Sequence, residues 1–319
     1  MRRLIPLALT LCIAAATFAD EDVIRKGFNV SNGGTLRLDA DLGSVRVVTG
    51  GTGVAVEVVR KARGESGEQA MSRHQIDFRQ SGNDVIIEDD LARQTWSFFG
   101  NSRYEVQWNI RVPDRYNLDL RTSGGSIEMD DVGGTVDART SGGSISTGRV
   151  SGEVTLNTSG GSIRVAGATG PVIAHTSGGS IDIGDTTGKV EARTSGGSIR
   201  LARTGGDVLA RTSGGGIRIE DASGAVDAST SGGSIQASLS RQPSGDSRLT
   251  TSGGSVTVSL ASGIRAELDA RASGGGVSSD VPITTHGTAK DGVLQGTING
   301  GGPKLVLRSS GGGIRVRAQ

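Results

Sequence analysis

Acidic side chains are the residues of this chain that come closest to known catalytic chemistry. Two carboxyl groups held on either side of a glycosidic bond can act as general acid and as base or nucleophile in its hydrolysis. The candidates for such a site are Asp130, Asp131, Asp182, Asp185, Glu220 and Asp221. The histidines His74, His175 and His286 are too widely spaced for a sequence-local metal motif. A catalytic site therefore depends on which carboxylates the fold brings together.

Five arginines occupy one equivalent position in a recurring motif, and they are the candidate binding face. These residues are Arg121, Arg139, Arg193, Arg211 and Arg271. One interpretation is an anion-binding stripe for a polysaccharide or lipopolysaccharide. The other is a solvated surface, because acidic residues recur two positions earlier in the repeat and can compensate the charge. Those acidic residues are Asp119, Asp137, Glu191, Asp227 and Asp269.

The element that positions these side chains is a repeat of 18 residues. The motif Thr-Ser-Gly-Gly-Ser-Ile begins at Thr122 and returns every 18 residues until Thr230, with Gly216 in place of one serine. Nine residues into each unit, a glycine two positions before a valine recurs. Each unit therefore holds two short strands and two turns, with apolar residues at alternate strand positions.

Two arrangements of these strands are open, a β-solenoid and a meander of hairpins that turn at Ser-Gly-Gly. The solenoid is favoured, because stacking one coil on the next explains why the whole turn recurs and not only its glycines. The glycines are expected where φ is positive or where stacked turns approach closely. The predicted fold is all-β: a parallel β-solenoid of about ten 18-residue coils, capped by an irregular amino-terminal β region.

The 18-residue period also tests the acidic candidates. Asp130 and Asp131 correspond to Gly148 and Arg149 on the next coil, and neither adds a carboxylate. Such neighbours favour surface ion pairs over an active site. The glycine-rich turns carry Ser and Thr where calcium-binding repeats need Asp, so no metal and no cofactor is predicted. The net charge of +1 on 319 residues argues against a nucleic-acid partner.

Residues 1–19 have the pattern of a signal peptide. Arg2 and Arg3 precede an apolar run, and Thr17-Phe18-Ala19 forms a cleavage site before Asp20. The expected localisation is exported, whether periplasmic, cell-surface or secreted. Cleavage would remove Cys12, the only cysteine, so the mature chain would rely on the stack rather than on disulfides. No transmembrane segment is predicted in the mature chain.

Residues 20–120 differ from the repeats of residues 121–319 because they hold every aromatic residue of the predicted mature chain. They are expected to form longer strands that cover the open end of the stack, with a short helix or a flexible loop at residues 64–73. Within this segment, Trp96, Phe98 and Phe99 form a candidate partner patch if they lie at a loop tip. Otherwise they belong to the buried core of the cap.

Several segments carry a family resemblance. They are Gly43-Ser44-Val45-Arg46-Val47, the strand that ends at Val112-Pro113, and the alternating Gly-Gly-Ser-Ile and Gly-x-Val units. With these motifs the chain resembles the bacterial putative-adhesin family of β-strand-repeat proteins of unknown function, over most of residues 28–319. The resemblance implies an exported or envelope-associated solenoid and transfers no catalytic residue.

Together these patterns predict an exported, non-enzymatic β-solenoid that acts as an adhesin-like binding or structural protein of the bacterial envelope. Its partner is expected to be an envelope glycan or protein. One alternative is a carbohydrate-active enzyme on a β-helix scaffold. Another is an envelope signalling accessory that acts through a protein partner bound at the aromatic patch.

Overall fold

The computed structural model describes residues 20–91, 104–286 and 291–319. Within these ranges the chain forms 29 strands and one helix, and the strands assemble into two long sheets. The predicted signal peptide (residues 1–19) and the candidate patch of Trp96, Phe98 and Phe99 lie outside the described residues. The all-β prediction is confirmed.

The elements follow one another along the chain in three groups. The amino-terminal elements are β1 (Asp20–Phe28), β2 (Thr35–Ala40), β3 (Ser44–Val48), β4 (Val54–Ala62), α1 (Gly64–Arg73), β5 (Gln75–Ser81), β6 (Asp84–Asp90) and β7 (Tyr104–Arg111). The repeats supply β8 (Asn117–Thr122), β9 (Ile127–Met129), β10 (Val136–Thr140), β11 (Ile145–Val150), β12 (Val154–Asn157), β13 (Ile163–Ala168), β14 (Val172–His175), β15 (Ile181–Thr186), β16 (Val190–Arg193), β17 (Ile199–Thr204), β18 (Val208–Arg211), β19 (Ile217–Ala222), β20 (Val226–Thr230), β21 (Ile235–Leu239), β22 (Ser247–Thr251) and β23 (Val256–Leu260). The carboxy-terminal strands are β24 (Ala266–Ala272), β25 (Val277–Ser279), β26 (Thr284–Thr285), β27 (Val293–Ile298), β28 (Lys304–Ser309) and β29 (Ile314–Ala318).

Successive repeats stack as parallel coils in register. In the first sheet Ile163 pairs with Ile181, which pairs with Ile199 on its other side. In the second sheet the valines do the same, with Val172 beside Val190. Like therefore stacks on like at a spacing of about 4.8 Å, and the solenoid is confirmed over the hairpin meander.

The core lies between the two sheets and extends along the whole stack. Ile181 and Ile183 of β15 are buried, and so are Val190 and Ala192 of β16, whereas the residues between them face outward. Burying one Ile or Val side chain stabilises the fold by about 1.5–3 kcal/mol. The alternation of apolar and polar residues thus fixes which face of each strand points inward.

Close approach explains the second glycine of each motif. A Cβ at Gly179 would lie 2.1 Å from the carbonyl oxygen of Gly161 on the preceding coil. Glycines with positive φ occur elsewhere in the described residues, as at Gly33 and Gly263, but not in the Thr-Ser-Gly-Gly motifs. Of the two expected reasons for glycine, tight stacking is the one that applies in the repeat.

Two coils lie out of chain order. The coil of β2 and β3 stands between the β6–β7 coil and the β8–β9 coil, and the coil of β28 and β29 stands between β22–β23 and β24–β25. The last motif copy in the chain, which begins at Ser309, lies between the copies at Thr251 and Ala272 rather than beyond them. The reason is that β24 forms an antiparallel pair with β27, so this segment covers the end while the chain returns inside it.

Antiparallel strands terminate the stack at both ends. At the amino-terminal end, β4 pairs with β7, β1 with β4, and β5 with β6. Helix α1, at the position where a helix or loop was expected, buries Gly67 and Ala70. Because β8 spans residues 120 and 121 and pairs with both β2 and β10, the stack continues across the predicted domain boundary. The division of the chain at that point stays a prediction.

Candidate functional site

The register of the second sheet places the five predicted arginines in one outward-facing row. Arg121 lies beside Arg139, and Arg193 lies beside Arg211. Arg271 lies beside Arg308, a member of the row that the sequence analysis missed. Arg308 directly precedes the Ser309-Ser310-Gly-Gly motif, so its position before the motif could have identified it.

The row is divided into three pairs of arginines. Asn157 and His175 separate Arg139 from Arg193. Ser229 and Thr250 separate Arg211 from Arg308. We call the whole outward row, from Arg121 to Arg271, the arginine row. It is polar throughout but carries its positive charge in three places.

Carboxylates compensate the arginine row. On the same strand, the guanidinium of Arg139 lies 2.9 Å from Asp137, and that of Arg193 lies 2.9 Å from Glu191. Arg211 instead reaches Asp227 on the neighbouring strand, at 3.0 Å. Such exposed pairs contribute about 0–1 kcal/mol each to stability. They leave the row with little net charge, and so with little attraction for a polyanion.

The two ends of the row differ in their carboxylates. Burial raises the pKa of Asp137, and the neighbouring Asp119 adds to this rise against the opposing charge of Arg139. Burial would also raise the pKa of Asp269, but hydrogen bonds from Arg308 and Gln295 outweigh it and lower that pKa. Asp269 therefore stays ionised at neutral pH and holds the carboxy-terminal part of the row in place.

The row offers hydrogen-bond donors and acceptors in alternation. Each guanidinium fork presents several N–H donors, and each carboxylate presents acceptors beside it. This arrangement can bind hydroxyl groups, which both donate and accept. It repeats along the sheet, so one extended partner can contact several coils at once.

The acidic catalytic candidates lie on the other sheet and contact arginines. The Oδ1 atom of Asp131 accepts a 2.7 Å hydrogen bond from the backbone N–H of Arg149. Asp185 forms an ion pair with Arg203, whose hydrogen bond lowers the pKa of that carboxyl. Glu220 lies 3.7 Å from Arg218 and Asp182 lies 4.0 Å from Arg164. The structure thus does not pair these carboxylates with one another across a cleft. Asp130 and Asp221 belong to the same surface.

A buried polar cluster of His74, Asp89 and Tyr104 escaped the sequence analysis. The Nε2 atom of His74 lies 3.1 Å from Oδ2 of Asp89, and its Nδ1 atom lies 2.6 Å from the Tyr104 hydroxyl. Burial raises the pKa of Asp89, and the attraction of His74 opposes this. The side chains of His74 and Asp89 are fully buried, so a substrate cannot reach them. The alternation of Val85, Ile87 and Asp89 could have indicated that Asp89 points inward.

The described residues hold neither a metal-ligand cluster nor a membrane-spanning helix. No group of three His, Cys, Asp or Glu side chains within residues 20–91, 104–286 and 291–319 is arranged to hold a metal ion. The helix found in these ranges, α1, is short and polar, and none there is long and apolar enough to cross a membrane.

Three solved structures resemble the fold across most of the chain. A putative cell adhesion protein from Clostridium sporogenes has 10% identity and a TM-score of 0.23, and the match covers 94% of this chain and all of that one. A putative adhesin from Bacteroides fragilis has 10% identity, coverage of 93% and 97%, and a TM-score of 0.29. A putative adhesin from Parabacteroides merdae has 9% identity, coverage of 93% and 96%, and a TM-score of 0.33.

None of these three structures is named as an enzyme. No curated protein matches the chain. The family comparison is decisive for the fold, because the Toastrack DUF4097 model matches residues 56–317, which is most of the chain. It agrees with the resemblance read from the Gly-Gly-Ser-Ile and Gly-x-Val units. The chain belongs to the Toastrack DUF4097 family.

Proposed function

We propose that the protein is an exported, non-enzymatic β-solenoid that binds a polymer of the bacterial envelope in an adhesin-like manner. The observation that carries the proposal is the arginine row, where pairs of guanidinium groups recur along the stack with carboxylates beside them. Binding sites repeated on a rigid scaffold suit a partner that is itself repetitive. Many weak contacts then add up to firm attachment, because the second contact is made at a high effective concentration.

The charge balance of the row favours a hydroxyl-rich glycan over a polyanion. Arg193 is held by Glu191 at 2.9 Å, and His175 lies 3.0 Å from that same carboxylate. A polyanion would have to displace these carboxylates before it could reach the arginines. A sugar hydroxyl can instead accept from a free N–H and donate to the carboxylate in the same contact.

A double substitution tests the role of the row. Arg193→Gln with Arg211→Gln removes two neighbouring guanidinium groups at the centre of the second sheet. Arg200→Gln with Arg218→Gln is the matched control, because these arginines are also neighbours and lie in the same coils on the first sheet. The measurement is retention of purified envelope glycans on immobilised protein, with envelope proteins assayed separately.

We expect the Arg193/Arg211 variant to lose at least tenfold in glycan retention and the control to match the parent protein. Equal retention by both variants would remove the arginine row as the contact surface. Release of new reducing ends from a retained glycan would replace the proposal with a carbohydrate-active enzyme. Retention of one defined protein by all forms would direct the search to a protein partner.

A further inference from the structure

A basic groove lies on the outer face of the first sheet, at the amino-terminal end of the stack. Its volume is about 440 Å³, within the range of small-ligand pockets. Strands β1, β3, β4 and β7 form it, and three cationic side chains line it: Arg25, Arg46 and Arg111. Lys26 points to the opposite face of β1, because it pairs with the buried Val56. It is separate from the arginine row, which belongs to the second sheet.

Small residues create the depression. Gly27 pairs with Ala55 across β1 and β4, and Ala55 pairs with Arg111 across β4 and β7. A Cβ at Gly27 would have no atom within 4 Å, so the space above this glycine is open. The bottom of the groove is therefore formed by Gly27 and Ala55, and the longer basic side chains surround it.

A second row of outward-facing residues, across β1, β4, β7 and β3, forms one wall of the groove. Arg25 donates from Nε to Glu57 at 2.8 Å, and the amide of Asn109 lies 3.4 Å from the other oxygen of Glu57. Arg46 lies beside Asn109 and is bound to Glu128 at 3.0 Å. Glu57 is the single carboxylate that lines the groove.

The remaining cation of the groove differs from those of the arginine row. Within the described residues, Arg111 has no acidic side chain within ion-pair distance. It is exposed. The aliphatic part of the Arg111 side chain lies against Gly51, where an added Cβ would lie 3.2 Å from Arg111 Cγ. Because residue 51 is a glycine, there is room for Arg111 at the rim of the groove. In a chain with a net charge of only +1, this concentrates unbalanced positive charge at one concave place.

We propose that this groove binds an oxyanion, a carboxylate or a phosphate, carried on a sugar-sized group. The guanidinium of Arg111 matches the two oxygens of such an anion, and Arg25 and Arg46 add positive charge at the wall of the groove. The groove is larger than a bare ion requires, and its polar wall of Asn109 and Glu57 offers partners for hydroxyl groups. This inference is independent of the proposed role of the arginine row.

Two matched ligand pairs identify the chemistry. Galacturonate and galactose differ by one carboxylate, and glucose 6-phosphate and glucose differ by one phosphate. We expect the acidic member of at least one pair to bind at least tenfold more tightly, measured by NMR titration of the purified protein. The affinity should fall as salt is added, because the cations are exposed. Inorganic phosphate that bound as tightly as glucose 6-phosphate would overturn the sugar-sized ligand.

Three variants test the residues. Arg111→Gln should weaken binding of the acidic sugar at least tenfold. Gly27→Glu should abolish it, because the new side chain enters open space and brings a negative charge, and the melting temperature should stay unchanged. Gly27→Gln separates the effect of filling the groove from that of charge, and it should weaken binding less than Gly27→Glu does.

A control variant tests whether the effect is specific to the groove. Arg200→Gln with Arg218→Gln changes two arginines on the same sheet but far along the stack, and it should leave binding of the acidic sugar unchanged. Acidic sugars that bind no better than neutral ones, or an Arg111→Gln variant that binds like the parent protein, would overturn the proposal. Glycan retention by the arginine row is assayed separately, so failure of one site is distinguishable from failure of the other.

Discussion

The hydroxyl of Thr176 donates a 2.7 Å hydrogen bond to the carbonyl oxygen of Gly161, fifteen residues earlier on the preceding coil. The same oxygen of Thr176 accepts from the backbone N–H of Gly179 at 3.4 Å. Thr176 is buried at the corner where the second sheet turns toward the first. One side chain thus closes its own turn and joins it to the turn before. The hydroxyls of the equivalent threonines also donate to a glycine carbonyl of the preceding coil: Thr140, Thr158, Thr194, Thr212 and Thr230.

Thr176→Val tests the value of this corner bond. The substitution keeps the shape of the side chain but leaves the Gly161 carbonyl and the Gly179 N–H without their partner. An unsatisfied buried polar group costs about 1–3 kcal/mol, and we expect a loss of this size in the free energy of unfolding by urea. Thr169→Val is the control, because Thr169 is exposed and its hydroxyl donates to Ser151 at the opposite corner. Equal losses in both variants would show that the burial of Thr176 has no special importance.

The two glycines of one motif should respond differently to a methyl group. A Cβ at Gly179 would lie 2.1 Å from the Gly161 oxygen, whereas a Cβ at Gly178 would lie 3.1 Å from the Gly160 oxygen. Overpacking costs about 1–3 kcal/mol, and more where the backbone cannot shift. We therefore expect Gly179→Ala to lower stability by at least about 3 kcal/mol and Gly178→Ala by about 1 kcal/mol or less. Thermal unfolding of the two variants side by side gives the answer, and a larger loss for Gly178→Ala would contradict it.

The sequence predicts the repeat well because its information is periodic. The interval of 18 residues places Ile181 beside Ile199 and Arg193 beside Arg211, and the structure has both pairs. Identical coils, however, offer identical edges to any neighbour. The motif therefore does not specify the order in which coils stack. Antiparallel pairs such as β24 with β27 close the end of the stack, and the last coil in the chain lies one position before that end.

The features that escaped prediction are those that occur once. The cluster of His74 and Asp89 depends on a contact between the residue that follows α1 and strand β6, which no repeat encodes. The basic groove depends on antiparallel pairing, which brings Gly27 beside Ala55 and Ala55 beside Arg111. Sequence periodicity locates a row along the stack, whereas a site at the cap requires the three-dimensional pairing of unlike strands.

Gly216 interrupts a series of hydrogen bonds that serine hydroxyls make between coils, and the substitution Gly216→Ser should restore the missing bond. In coils that carry the motif serine, its hydroxyl accepts from the backbone N–H of the equivalent residue one coil later, as Ser180 does from Ser198 at 3.2 Å. A Cβ at Gly216 would lie 3.1 Å from the backbone oxygen of Ser234. The new hydroxyl would accept from the N–H of Ser234. We expect Gly216→Ser to raise stability by about 0.5–1.5 kcal/mol.

Gly216→Ala separates the two contributions to that gain. Alanine supplies the Cβ and reduces the freedom of the unfolded chain, but it has no hydroxyl. A serine variant that is more stable than the alanine variant in urea denaturation would confirm the ladder. Equal stability of the two would assign the whole effect to the unfolded state.

Asp89 should make the stability of the protein fall as the pH rises. Burial raises the pKa of this carboxyl, so the folded state holds its proton more tightly than the unfolded state does. Stability is then lost from the unfolded pKa, about 3.9, up to the raised folded value, by about 1.4 kcal/mol for each unit of difference. Asp89→Asn removes this titration, and its stability relative to the parent should improve between pH 4 and pH 7.

Urea unfolding of the parent protein and of Asp89→Asn across this pH range measures the difference directly. Asp90→Asn is the control, because Asp90 is the next residue and is exposed. His74 decides the alternative outcome. If its attraction for Asp89 at 3.1 Å outweighs burial, the parent will gain stability over Asp89→Asn as the pH rises. The sign of the slope therefore tells whether desolvation or the ion contact with His74 governs this buried cluster.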